Sequence, residues 1–150
     1  MRFLALLLVL LLAGCATGPP VGPPAMSAPN LTGSWTGTWG GGLLTLLVTE
    51  QTIGPGESGF VLGPWQVLGE RYPTVAGVLT ATIKGEHVST NAEGLLGLSG
   101  GAVILTLRAR SSAGDQRLTL RLTDRDRLQG AGESQYRWGP QGAAELTRLR

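Results

Sequence analysis

Leu31-Thr32-Gly33-Ser34-Trp35-Thr36-Gly37-Thr38-Trp39 reads as a β-strand. Trp35, Gly37 and Trp39 fall on one face of it, and Ser34, Thr36 and Thr38 on the other. Side chains alternate with period two along a strand. The stretch therefore offers an aromatic face to a core and a hydroxyl face to water.

The same period recurs downstream. Gly40-Gly41-Gly42 reads as a turn, and Leu43–Gln51 as a second strand with Leu44, Leu46 and Val48 inward. Ile53–Gly59 reads as a hairpin loop and Phe60–Val67 as a third strand, interrupted at Pro64. Val75–Lys84 alternates again, whereas Glu86–Leu98 is open between short strands and a long loop. Ala102–Ala109, Gln116–Thr123, Leu128–Tyr136 and Ala143–Leu149 complete the set. About eight strands with short connections and no long helical period predict an all-β domain, an antiparallel up-and-down meander. Closing it into a barrel removes the exposed edges of a flat sheet. The strand glycines Gly37, Gly77, Gly130 and Gly132 either allow tight coiling or leave room inside.

Composition fits this class: 24 glycines and 15% charged residues in 150. A formal charge of +2 is too small to imply nucleic acid as a partner. Basic residues gather in the C-terminal third, at Arg108, Arg110, Arg117, Arg121, Arg125 and Arg127. Asp115, Asp124 and Asp126 are interleaved with them. Interspersed signs read as a solvated strand face; an acidic partner or lipid headgroup is the sharper alternative.

The chain begins MRFLALLLVLLLAGC. Arg2 supplies a positive start, and the apolar run that follows is too short to cross a hydrocarbon core of about 30 Å. Residues 1–14 read as an export signal. Leu12-Ala13-Gly14-Cys15 resembles the bacterial lipobox at every position. That resemblance implies cleavage before Cys15, a diacylglycerol on its sulfur and acylation of the new amino terminus. Three acyl chains make an anchor that two already make stable, at about 0.8 kcal/mol per buried CH₂. The resemblance also implies an outer-membrane address in a Gram-negative cell, since Ala16 and not Asp follows the cysteine; in a Gram-positive cell it implies the outer face of the plasma membrane. Cys15 is the sole cysteine, so the exported domain has no disulfide. Residues 15–30 then form a tether. Five of the nine prolines lie there, and at about 3.1 Å per residue it reaches up to about 45 Å. Residues 31–150 form the barrel.

Gly33-x-Trp35 resembles the first-strand motif of lipocalins and other calycins, and Leu31-Thr32-Gly33-x-Trp35 resembles the opening of avidin-type barrels. In calycins that tryptophan pairs with a basic residue on the last strand, and Arg148 occupies the matching place. The resemblance implies a structural pair, a guanidinium over an indole, contributing about 0.5–2 kcal/mol. It supplies no ligand, because function sits in the site and not in the fold.

Catalytic motifs find no context. Gly97-Leu98-Ser99-Gly100-Gly101 matches G-x-S-x-G, but a strand follows where a nucleophile elbow needs a helix, and His87, the sole histidine, lies upstream. Gly54–Gly59 matches G-x-G-x-x-G, again without a helix after it. Asp124 and Asp126 are too few oxygens for calcium, and His87 has no second ligand for a transition metal. No enzyme activity, metal or cofactor is expected. The remaining candidates are Trp39, Trp65, Tyr72 and Trp138, near strand ends where barrel mouths lie. They line a site for a small apolar ligand, anchor an envelope protein, or plug the ends as core.

Overall fold

The computed structural model describes residues 28–52, 73–83, 85–112, 114–136 and 139–150. The expected export signal, Cys15, most of the expected tether, the strand expected at Phe60–Val67, and Trp65, Tyr72 and Trp138 lie outside these residues. The described residues form eight strands: β1 (Gly33–Trp39), β2 (Gly42–Thr52), β3 (Thr74–Ile83), β4 (Glu86–Ser99), β5 (Ala102–Ser111), β6 (Gly114–Asp124), β7 (Arg127–Ser134) and β8 (Gly142–Arg148). Each pairs antiparallel with the next, and β1 pairs with β8, so the sheet is a closed barrel. The meander predicted from the period-two pattern is thus the observed fold.

One segment that the alternation left open is decided by the structure. Glu86–Ser99, open between loop and strands, is a single strand of 14 residues. Its residues 86–95 pair with β3 and 92–99 with β5. The inward positions Thr90, Ala92 and Gly94 are small or polar, so the strand carries little apolar alternation to read. β2 pairs directly with β3, down to Thr52 opposite Thr74.

The core is the barrel interior. Trp35, Trp39 and eleven leucines are each no more than 1% exposed among the described residues. Inward leucines from β2, β5 and β6 meet across the barrel, each removing about 1.5–3 kcal/mol worth of apolar surface from water. The strand glycines sit where the wall coils tightly. A Cβ on Gly77 would collide with the Leu47 carbonyl oxygen on β2, and Gly37 and Gly130 face Glu145 and Thr119 in the same way. A Cβ on Gly132 would stand 2.8 Å from Cε2 and Cζ2 of Trp39. These glycines admit neighbours; they do not leave a void.

Candidate functional site

One end of the barrel is closed by the chain that enters it. Leu31 precedes β1 and is fully buried. Its backbone N–H donates to Gln51 Oε1 at 2.7 Å, and Gln51 Nε2 donates to the Pro29 carbonyl at 2.9 Å. Ala28 packs against the core. The last residues of the expected tether, Ala28–Asn30, are therefore held on the barrel, because Gln51 and Arg148 offer their carbonyls donors.

Arg148 organises this end. It stands opposite Trp35 in the β1–β8 register, with its guanidinium carbon 4.5 Å from the indole centroid. Trp35 Nε1 donates to the Leu31 carbonyl at 2.9 Å. Arg148 donates to the carbonyls of Thr32 and Asn30, and its Nε lies 3.5 Å from Asp126 Oδ1. Arg150 donates to Asp126 Oδ2 at 2.7 Å. A buried indole, a stacked guanidinium and two captured carbonyls make a clasp between the first and last strands. It is structural geometry: the indole N–H and two of the guanidinium nitrogens, Nη1 and Nη2, are taken up by carbonyls of the chain itself.

The hydrogen bond from Arg150 holds the Asp126 carboxyl below its ordinary value of 3.8; burial opposes this, and the charges of Arg150, Arg148 and Arg125 add to it. Asp115 is lowered in the same sense, first by its hydrogen bond from Arg108. A carboxylate with a depressed folded pKa stabilises the fold above its unfolded value and loses that contribution as pH falls through the folded one. Stability should accordingly drop as pH falls below about 4. Asp126→Asn should shallow that drop, modestly because the pair is partly solvated. Urea midpoints measured across acidic pH check this; parallel curves for variant and wild type would refute it.

The opposite end is stitched by the β7–β8 connection. Gly40 N–H donates to the Ala143 carbonyl at 3.0 Å, Gln141 Nε2 to the Ser134 carbonyl at 2.6 Å, and the hydroxyls of Ser111 and Tyr136 are bonded. Trp39, expected near a mouth, is 1% exposed and crosses inside the barrel from β1 to Gly132 on β7. It fills this end as core. Gln116 is equally buried, and neither its carboxamide nor Trp39 Nε1 has a hydrogen-bond partner among the described residues.

No protein-family model, curated protein or solved structure matches this chain.

The other residues singled out in sequence are dispersed. Ser99 ends β4, and Gly100-Gly101 turns directly into β5, so this serine sits at a hairpin. His87 is exposed on β4 with Nδ1 3.2 Å from Thr82 Oγ1. Among the described residues no group of three or more His, Cys, Asp or Glu could hold a metal ion. The strand arginines are largely engaged: Arg117 with Glu133 at 3.8 Å and Arg127 with Glu145 at 3.1 Å. What sequence reasoning missed lies on the outer wall, where a groove of about 530 Å³ crosses β2 to β5. Glu50, Glu93 and Leu95 line it, and no local motif marks them.

Proposed function

We propose that this chain is a lipid-anchored lipoprotein of the bacterial cell envelope, in Gram-negative cells of the outer membrane. Its packed barrel acts as a rigid scaffold for contact with an envelope protein. The filled interior carries this reading: an apolar ligand of the size lipocalin-like barrels imply needs the volume that Trp35, Trp39 and the leucines occupy. Polarity supports the setting. Arg108, Arg117, Arg121 and Glu133 face outward while the interior is apolar, the reverse of a membrane-spanning barrel. The barrel stands in water, and the lipid on Cys15 supplies the membrane contact. The address and anchor rest on the resemblance of Leu12–Cys15 to the lipobox.

One observation favours a small ligand instead: the unpaired Trp39 Nε1 and Gln116 carboxamide at the end opposite the clasp. A molecule with a polar group there would satisfy both.

Native mass spectrometry of the purified protein after incubation with fatty-acid probes separates the two. The scaffold reading expects no stoichiometric adduct; an adduct weakened by Gln116→Leu would overturn it. For the anchor, Cys15→Ser should move the protein from the membrane to the soluble fraction. Unchanged fractionation would remove the lipoprotein half of the proposal.

A further inference from the structure

The outer groove is built from two rows of residues that run across the strands. Glu50, Ala76 and Glu93 are successive register partners on β2, β3 and β4. Thr74, Leu95 and Thr106 form the next row, on β3, β4 and β5. Adjacent strands lie about 4.8 Å apart, so the backbones of Glu50 and Glu93 stand about 10 Å apart with one methyl group between them. Leu95 is 49% exposed beside this notch.

Two local events create it. The inward residues of β2 are Leu44, Leu46 and Val48, and strict alternation would send Glu50 into the core. A register shift between Val48 and Glu50 turns Glu50 outward. Glu93 stands opposite Arg108 in the β4–β5 register. Arg108 turns instead to Asp115, with Nε 2.9 Å from Oδ2. Neither Glu50 nor Glu93 forms an ion pair among the described residues.

We infer that this groove receives a lysine or arginine side chain from an apolar segment of a partner protein. The cationic head sits over Ala76 between the two carboxylates. The aliphatic stem and a neighbouring apolar side chain lie on Leu95, as long basic side chains do along apolar surface. Arg108 also lines the groove, but its charge is taken by Asp115, so an anionic partner would meet two like charges. A wholly apolar one would desolvate both carboxylates without compensation. Two carboxylates supply at most four of the six to eight oxygens that calcium needs. The inference rests on the scaffold reading and names the chemistry of its partner.

The test is a titration of the ¹⁵N-labelled full chain, held in phosphatidylcholine nanodiscs, with the peptide acetyl-Leu-Lys-Leu-amide and its norleucine counterpart. The lysine peptide should shift the amides of Ala76 and Leu95, and the norleucine peptide should not. Glu50→Gln or Glu93→Gln should each weaken binding about three-fold, and both together about ten-fold. Salt near 1 M, where the Debye length is about 3 Å, should weaken it similarly. Ala76→Leu should block binding with both carboxylates in place and the other amide positions unchanged. The inference is overturned if millimolar lysine peptide leaves Ala76 and Leu95 unshifted, if both peptides act alike, or if the double variant binds as wild type. Such failure leaves the adduct measurement, and with it the scaffold reading, untouched.

Discussion

Trp35→Ala is expected to cost about 3–5 kcal/mol, a large part of the 5–15 kcal/mol that holds a typical domain together. Three losses coincide. The indole is fully buried, so its removal opens a cavity that the surrounding strands cannot collapse into, since each is pinned on both edges. The Leu31 carbonyl loses the Nε1 donor at 2.9 Å and is left buried. The Arg148 guanidinium loses the ring face 4.5 Å from it, although its carbonyl partners on Asn30 and Thr32 remain. Trp35→Phe should restore most of the volume but not the hydrogen bond, and should fall about 1 kcal/mol or more short of wild type. Urea unfolding followed by circular dichroism gives both values. A Trp35→Ala protein within about 1 kcal/mol of wild type would show that the indole does not bear on the core.

Gly77→Ala is expected to destabilise by about 3 kcal/mol or more, although alanine is otherwise the better mid-strand residue by about 0.5–1 kcal/mol. The added Cβ meets the Leu47 carbonyl oxygen, with Val48 Cα 3.0 Å away. Those are backbone atoms of the neighbouring strand, so relief requires β2 and β3 to separate and lengthens the hydrogen bonds between them. Gly97→Ala is the control. Nothing lies within 4 Å of its would-be Cβ, and its φ is not positive, so the same substitution should be neutral or slightly stabilising. Opposite signs at the two positions are the expected result of parallel denaturation curves. Equal effects would mean that close strand approach is not why Gly77 is glycine.

Alternation makes much of this protein readable in its sequence. Leu44, Leu46 and Val48, or Leu118 and Leu120, declare an inward face because side-chain direction in a strand depends only on parity. The pairing of Trp35 with Arg148 is legible through the motif around Gly33. β4 escaped because Thr90, Ala92 and Gly94 carry no apolar signal, and its inward face is defined by Leu79 and Leu105 on the strands beside it.

The sequence by itself determined the strand class and the faces of most strands, since each is a property of near neighbours along the chain. Only the tertiary structure decided that the barrel is filled, that its strand glycines are points of contact, and that Glu50 and Glu93 share a groove. Filling is a sum of side-chain volumes over eight strands. The groove depends on one register shift in β2 and on Arg108 choosing Asp115 over Glu93. Those outcomes are set by residues far apart in the chain, which a local period of two cannot encode.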